Sequence, residues 1–180
     1  IAERGDHLFR LSKEHQTYIG YEAAVAGAIP IINSIAHNML NEKIISVRGI
    51  INGTCNYVLD QMSSNGKSFE ESLANAKELG YAESDPTFDI GGFDAAHKLS
   101  ILAMLAFGIE SPYKQIQIEG IELIDSMDID FARELGYEIK HLASAQSEDS
   151  KIECKVHPCL ISKKNILSKI DGVMNAVKIK

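Results

Sequence analysis

The stretch GYAESDPTFDIGGFDAAHK, positions 80 to 98, concentrates ionisable side chains that could move a proton or bind a cation. Four carboxylates and one lysine lie in it: Glu83, Asp85, Asp89, Asp94 and Lys98. Asp94 and Lys98 are four residues apart, so on a helix they share one face and can pair. A lysine held near carboxylates and away from bulk water can hand a proton to a carbonyl oxygen during reduction. Spare carboxylates could bind a substrate ammonium, so the stretch predicts a substrate cleft.

Two other interpretations of this stretch compete with a cleft. A solvated surface salt bridge between Asp94 and Lys98 would contribute little to stability. The apolar run LSILAMLAF that follows Lys98 favours a buried helix, on which charges must pair or line a cleft. Gly91-Gly92 would also let a ligand or another backbone approach closely. A calcium loop is the remaining rival, but Phe88 stands where an EF-hand loop needs its glycine.

A second candidate constellation is Asn52-Gly53-Thr54, which follows a strand-like run and opens a helix-like one. Backbone N–H groups at a helix N-terminus form a site for anions, including carboxylates. Taken alone, the tripeptide is better explained as a common turn with Thr54 as an ordinary helix cap. Beside an ammonium-binding cluster, it becomes the other half of an amino-acid pocket.

The elements that must position these residues alternate irregularly between helix and strand along the chain. The patterns predict helices over 3–15, 30–40, 52–66, 68–80, 93–107 and 128–136, with Ser68 and Asp128 as caps. They predict strands over 43–51, 116–124, 137–149, 151–161 and 172–180, with a turn at 147–150. This order favours an α+β fold in which helices cover a mixed, largely antiparallel sheet. We expect a single domain over residues 1–180.

The composition excludes several classes of function. Lys and Arg number 18 and Asp and Glu 25, a formal net charge of −7 without a basic block, which argues against nucleic-acid binding. Nothing approaches 18 consecutive apolar residues, so no membrane span is expected. The three cysteines and six histidines lack metal-site spacing. A reducing, cytoplasmic setting is the simplest expectation.

Several blocks of the sequence, in order, resemble the catalytic and dimerisation part of homoserine dehydrogenases. They are YEAAVAGAIPII, VRGIINGTCNY, LGYAESDPTFDIGGFDAAHKLSIL and DGVMNAV, and they span about Tyr21 to Ala176. The resemblance implies NADH- or NADPH-dependent reduction of L-aspartate 4-semialdehyde to L-homoserine, in threonine and methionine biosynthesis. It also implies a homodimer or higher homo-oligomer.

The resemblance also implies roles for individual residues. Lys98 matches the family's active-site lysine, and Asp94 matches the carboxylate beside it. Glu83 matches the acid that takes the substrate ammonium, with Asp89 near the same pocket. Three further positions line the substrate site: Gly53, Thr54 and Tyr81. A monovalent cation, usually sodium, is expected at Glu22 and the backbone carbonyls of Val25, Gly27 and Ile29.

The sequence departs from the family pattern in what it does not contain. No G-x-G-x-x-G fingerprint occurs, so we expect the family's nucleotide-binding domain, and a second catalytic lysine preceding Ile1, to lie outside this chain. The NAD or NADP cofactor would be bound mainly by that domain, and the chain alone is expected to be inactive. Two alternatives follow: an oligomerisation module, or an amino-acid-binding module without activity of its own.

Overall fold

The computed structural model describes residues 1–39, 43–149 and 151–180. Within these ranges the chain forms seven α-helices: α1 Gly5–Glu14, α2 Ile31–Asn33, α3 Gly53–Asn65, α4 Phe69–Glu78, α5 Thr87–Ile90, α6 Phe93–Phe107 and α7 Ser126–Glu134. The same ranges contain five strands: β1 Ser46–Ile50, β2 Gln117–Ile118, β3 Tyr137–Glu148, β4 Lys151–Ser162 and β5 Ala176–Ile179. Short 3-10 turns lie at Glu22–Ala24, Tyr113–Gln115 and Ile166–Lys169, and a π-helical turn at Ser34–Asn38 follows α2.

The five strands form one sheet in the order β2-β4-β3-β1-β5. The long hairpin β3–β4 is antiparallel, β3 pairs antiparallel with β1, and β1 pairs antiparallel with β5. The two-residue strand β2 pairs parallel with β4, at Gln117↔Lys155 and Ile118↔Val156. The sheet is therefore mixed and largely antiparallel, which confirms the predicted α+β class.

Helix α6 is the central helix of the fold and packs directly on the sheet. Its small and branched side chains, Ala96, Leu99 and Ala103, are buried against Ala143 and Ala145 of β3. Because side chains alternate along a strand, Leu142 lies on the opposite face and packs with Ile50 and Leu167. A fully buried leucine side chain stabilises the folded state by about 1.5–3 kcal/mol, so burial of α6 holds Asp94 and Lys98 in place.

Several predicted helix boundaries differ from the observed ones. Helix α7 starts at Ser126, not Asp128, because Asp125 is the cap: its side chain accepts from the Asp128 backbone N–H, and the Asp128 side chain accepts from the Asp125 N–H. The helix predicted over 30–40 becomes the short α2 and the π-helical turn, and its predicted last residue lies outside the described residues. By contrast, the predicted capping box of Ser68 and Glu71 at the start of α4 is confirmed.

The strands also differ from their predicted lengths. The strand predicted over 116–124 is reduced to β2, because the chain then turns away and Ile121 N–H donates to the Ile90 carbonyl at 2.8 Å. The strand predicted over 172–180 is limited to β5, because residues 170–174 form a loop tied to α3. The predicted turn at 147–150 ends at a residue outside the described ranges.

None of the helices in the described ranges is long and apolar enough to cross a membrane.

Candidate active site

The junction between β1 and α3 forms one wall of the candidate site. Asn52 occupies the N-cap position of α3 with extended backbone angles, and its Oδ1 accepts the Cys55 backbone N–H at 2.8 Å. Asparagine is among the best N-cap residues because its side chain satisfies an otherwise unpaired helix N–H. The predicted strand-to-helix transition therefore occurs at Asn52.

The break between α5 and α6 forms the opposite wall. α5 ends next to Gly91, and Gly92 adopts a left-handed conformation with φ of 85° before α6 starts at Phe93. A Cβ atom at Gly92 would lie 3.1 Å from Ile118 Cγ2 and 3.2 Å from His141 Cε1. Gly92 turns the chain between the two helices, and the carboxylates of Asp89 and Asp94 are held by the same side chain, that of Asn52.

Lys98 and Asp94 form a close ion pair on α6. The Lys98 Nζ lies 2.6 Å from Asp94 Oδ2, and it also donates to the Ile51 carbonyl at 3.1 Å. The side chains of Lys98 and Asp94 are 24% and 22% exposed. The amine is thus held by two acceptors, and its side chain remains partly exposed to solvent.

Asn52 joins the two carboxylates, and we did not predict it as a site residue. Its Nδ2 donates to Asp89 Oδ1 at 2.7 Å and to Asp94 Oδ2 at 2.8 Å. The sequence carried a partial signal, since Asn52 opens the Asn-Gly-Thr motif. However, the carboxylates it contacts lie 37 and 42 residues further along the chain.

Thr54 and Tyr81 contribute a second link between α3 and the loop after α4. The Thr54 hydroxyl donates to the Tyr81 carbonyl at 2.6 Å and lies 3.3 Å from Asp89 Oδ2. The Tyr81 ring packs against the ring of Tyr57, with centroids 5.1 Å apart. The structure therefore brings Thr54, Tyr81, Asp89, Asp94 and Lys98 into one connected cluster.

Gly53 and Glu83, the two other residues predicted to bind substrate, have different surroundings from the residues of that cluster. A Cβ atom at Gly53 would lie 3.0 Å from the carbonyl oxygen of Val173, so the loop before β5 lies against the start of α3. Glu83 is exposed, and none of the hydrogen bonds or ion pairs found in ranges 1–39, 43–149 and 151–180 involves its carboxylate. Its carboxylate is therefore available to a ligand.

The loop that abuts Gly53 is held by polar side chains that we also did not predict. The buried Asn56 donates to the carbonyls of Ile170 and Gly172, both at 2.9 Å. The buried Lys140 donates to the Ile170 carbonyl at 2.7 Å, and Asp60 accepts the Gly172 N–H at 3.0 Å. The loop position is thus set by side chains distant in sequence.

Cys55 lies next to the carboxylates but is unsuited to act as a nucleophile. Burial, reinforced by the negative charges of Asp89 and Asp94, raises the pKa of the Cys55 thiol well above its usual value. Its Sγ donates to the Asp89 backbone carbonyl at 3.1 Å. A thiol with a raised pKa stays protonated and unreactive.

Asp85 belongs to the acidic stretch but has a local structural role. Its Oδ1 accepts from the Thr87 hydroxyl at 2.7 Å and from the Thr87 backbone N–H at 3.1 Å. These hydrogen bonds lower the pKa of the Asp85 carboxyl. It therefore stabilises the chain before α5.

The four residues of the expected cation site lie in the segment before α2. Glu22 accepts the backbone N–H groups of Ile32 and Asn33, at 2.8 and 2.9 Å. Ala26 and Gly27 both have positive φ, of 57° and 54°, which turns the chain sharply. The Ile29 carbonyl accepts the Ile31 N–H at 2.8 Å.

These oxygen atoms suit a hard cation, since carbonyl and carboxylate oxygens each have a second lone pair to offer. Across the described part of the chain, no group of three or more His, Cys, Asp or Glu side chains could hold a metal ion. A cation here would therefore depend largely on backbone carbonyls. Val25 and Ala26 pack in the same cluster as Ile101 and Leu102 of α6, so this segment supports the helix that carries Lys98.

Comparison with known proteins gives one consistent result. A family model described as homoserine dehydrogenase matches residues 30–180. The homoserine dehydrogenase of Helicobacter pylori is 51% identical over 174 residues, covering 96% of this chain and 41% of that protein. That of Neisseria gonorrhoeae is 45% identical over 179 residues, covering 99% of this chain and 41% of that protein.

Solved structures agree with the sequence relatives. A homoserine dehydrogenase from Thiobacillus denitrificans matches with a TM-score of 0.97 and 44% identity, over 99% of this chain and 42% of that one. A hyperthermophilic archaeal homoserine dehydrogenase in complex with NADPH matches with a TM-score of 0.82 and 30% identity, over 99% of this chain and 51% of that one. The chain spans about two fifths of the length of the curated relatives.

Proposed function

Because the chain belongs to the homoserine dehydrogenase family, we propose that it is the substrate-binding and catalytic part of an enzyme that interconverts L-homoserine and L-aspartate 4-semialdehyde. The observation that carries this proposal is the Lys98–Asp94 pair, whose charged atoms lie 2.6 Å apart while both side chains stay partly exposed to solvent. A surface ion pair would not need the further acceptor that Ile51 provides or the donor that Asn52 provides.

The proton transfer of this reaction is assigned to Lys98. When bound, a nicotinamide cofactor supplies the hydride that reduces the aldehyde carbon, or accepts it in the reverse direction. Lys98 donates a proton to the oxygen as the aldehyde becomes an alcohol, and it takes the proton back during oxidation. Asp94 holds the amine in place through the 2.6 Å contact.

The ends of the substrate are assigned to two groups of residues. The exposed Glu83 carboxylate, with Asp89 nearby, binds the substrate ammonium. The backbone N–H groups at the start of α3, around Gly53 and Thr54, bind the substrate carboxylate, because a helix N-terminus attracts anions. Tyr81, joined to Thr54 by a hydrogen bond, lines the pocket between these two groups.

The cofactor is proposed to be NAD or NADP, bound mainly outside these 180 residues. The chain has no G-x-G-x-x-G fingerprint, whereas one structural relative is described in complex with NADPH. A monovalent cation, sodium, is proposed at Glu22 and the carbonyls of Val25, Gly27 and Ile29. Its role would be structural, since this segment packs against the later turns of α6.

The test of the proposed function is an assay of the full-length protein with L-homoserine and NAD⁺ or NADP⁺. We expect turnover by the wild type and a loss of about 10²–10⁴-fold in kcat for Lys98→Ala, the usual contribution of a general acid–base group. Lys155→Ala is the matched control, because Lys155 pairs with Glu153 on β4. Wild-type turnover in Lys98→Ala would refute the assignment.

A second function, which is compatible with the first, is homo-oligomerisation. Four apolar side chains at four-residue intervals on or beside α7 are exposed: Leu123, Met127, Phe131 and Leu135. Exposed apolar patches of this kind often mark protein–protein contacts. Analytical ultracentrifugation tests this, because a monomer at high protein concentration would contradict a homodimer.

The three cysteines are free thiols in the structure, which supports a reducing, cytoplasmic location.

A module that binds an amino acid without catalysis is the alternative to an enzyme. Calorimetry with L-homoserine in the presence of sodium tests binding, and the full-length assay separates binding from catalysis.

A further inference from the structure

We propose that Asn52 is a positioning residue that locks Asp89 and Asp94 together and thereby aligns Asp94 with the Lys98 amine. This inference rests on the proposed function. Asn52 is 5% exposed, and each polar atom of its side chain has a partner in the site. Its Oδ1 accepts the Cys55 N–H, and its Nδ2 donates to both carboxylates.

The proposed positioning role depends on the Nδ2 amino group of Asn52. A primary amide has two N–H donors, so at distances of 2.7 and 2.8 Å one can serve Asp89 and the other Asp94. Two carboxylates that share one partner repel each other unless donors compensate their charges. Asn52 supplies those donors without a charge of its own, so the positive charge of Lys98 stays directed at Asp94.

Ile51, the residue before Asn52, contacts the other member of the ion pair, Lys98. The Ile51 carbonyl accepts a hydrogen bond from Lys98, whereas the Asn52 amide donates to Asp94. Consecutive residues at the β1–α3 junction thus hold both members of the ion pair. Ile51 is itself buried, in a cluster with residues of α6 and β3, so core packing holds the junction against the Lys98–Asp94 pair.

A purely structural explanation is that Asn52 only caps α3. Capping uses Oδ1, whereas the carboxylates contact Nδ2. Serine and aspartate are also good N-cap residues, but neither has an amide donor. The substitutions Asn52→Ser and Asn52→Asp therefore keep the cap and remove the proposed positioning function.

The experiment measures kcat and KM for aldehyde reduction in the full-length protein. For Asn52→Ser we expect a kcat about 10–100-fold lower, the effect of losing hydrogen bonds to charged groups. For Asn52→Asp we expect an equal or larger loss. Its added negative charge lies beside Asp89 and Asp94 and supplies no donor to either carboxylate, so kcat should fall by more than KM changes.

Ser68→Ala is the matched control, since it removes the cap of α4 without touching the cluster. It should lower the thermal midpoint by a few degrees but leave kcat within about two-fold. An Asn52→Ser enzyme with the kcat of the wild type would overturn the inference while leaving the proposed function intact.

If the wild-type protein does not turn over L-homoserine, the proposed function fails. A structural measurement then tests the inference about Asn52 independently. In ¹⁵N-labelled protein, the side-chain amide protons of Asn52 should exchange slowly with solvent. The substitution Asp94→Ala should shift one of them and speed its exchange. Rapid exchange in the wild type, or no change in Asp94→Ala, would show that the carboxylates are not joined through Asn52.

Discussion

At the scale of single residues, the charged side chains of the candidate site differ in whether they have side-chain partners. Asp94 and Lys98 are paired, and Asp89 is bound by Asn52. Glu83 is exposed and has no side-chain partner within the described ranges. In the proposed function, the unpaired Glu83 carboxylate attracts the substrate ammonium, whereas the paired Lys98 moves the proton.

Glu83→Gln should therefore affect substrate binding more than turnover. A hydrogen bond to a charged group contributes about 1.5–3 kcal/mol, so we expect KM for L-homoserine to rise about 10–100-fold with a smaller change in kcat. Steady-state kinetics of the full-length protein measures both. Glu78→Gln, on the exposed side of α4, is the control, and an unchanged KM in Glu83→Gln would exclude the assigned role.

At the scale of elements, the site depends on how α5, α6 and the β1–α3 junction meet. Gly92 allows this meeting, because it combines a φ of 85° with close approach to β2 and β3. His141 of β3 lies on the other side of that contact. Its Nε2 is 2.9 Å from the Glu119 carbonyl, and its Nδ1 is buried without a partner among the described residues.

Gly92→Ala should destabilise the protein more than Gly108→Ala. Both glycines have positive φ, but a Cβ at Gly108 would meet nothing within 4 Å, whereas at Gly92 it would crowd Ile118 and His141. We expect about 1 kcal/mol for Gly108→Ala from backbone strain and about 2–4 kcal/mol for Gly92→Ala when overpacking is added. Urea unfolding measures both, and equal losses would show that the contact at Gly92 relaxes without cost.

His141 should make stability depend on pH. Burial lowers the pKa of His141 below its usual value of 6.5, so below pH 6.5 the unfolded state binds a proton that the folded state does not. The free energy of unfolding should be highest above pH 6.5 and fall as the pH decreases. It should then level off below the folded-state pKa, with a slope of up to about 1.4 kcal/mol per pH unit.

His141→Gln should reduce that slope, whatever its effect on stability at pH 8. His15→Gln is the control, because His15 is exposed at the end of α1. Urea titrations between pH 8 and pH 5 supply the measurement. If the slope were the same in His141→Gln and the wild type, His141 would not be the group responsible.

At the scale of the whole molecule, the described residues form four buried hydrophobic clusters, and the chain covers 41% of its curated relatives. One of these clusters joins α3, α4 and α7, and another joins α6 with the segment before α2. Such a core supports folding of the chain, whereas hydride transfer needs a bound nicotinamide. Folding and activity should therefore separate when the chain is expressed by itself.

The 180 residues alone should unfold cooperatively and yet show no reduction of L-aspartate 4-semialdehyde by NADH or NADPH. Circular dichroism during heating and a spectrophotometric assay test the two parts of this prediction. The full-length protein in the same assay is the control. Measurable reduction by the isolated chain would show that it binds the cofactor productively.

The features that the sequence by itself determined depend on residues that are close together in the chain. The capping box at Ser68 depends on residues three positions apart, and the Asp94–Lys98 pair on residues four apart, so spacing sufficed to predict both. The apolar run after Lys98 likewise predicted a buried helix. Local spacing was ambiguous at α7, where Asp125 and Asp128 exchange hydrogen bonds and we chose the wrong cap.

Only the tertiary structure decided which distant groups meet. The contacts of Asn52 with Asp89 and Asp94, and of Asn56 with the loop at Ile170, span 37, 42 and 114 residues. Such contacts depend on how β1, α3 and the α5–α6 break pack together. The shortening of the strand predicted over 116–124 has the same origin, because Ile121 donates to Ile90 rather than to a neighbouring strand. Hydrophobic periodicity records burial, but it does not specify the partner of a buried polar group.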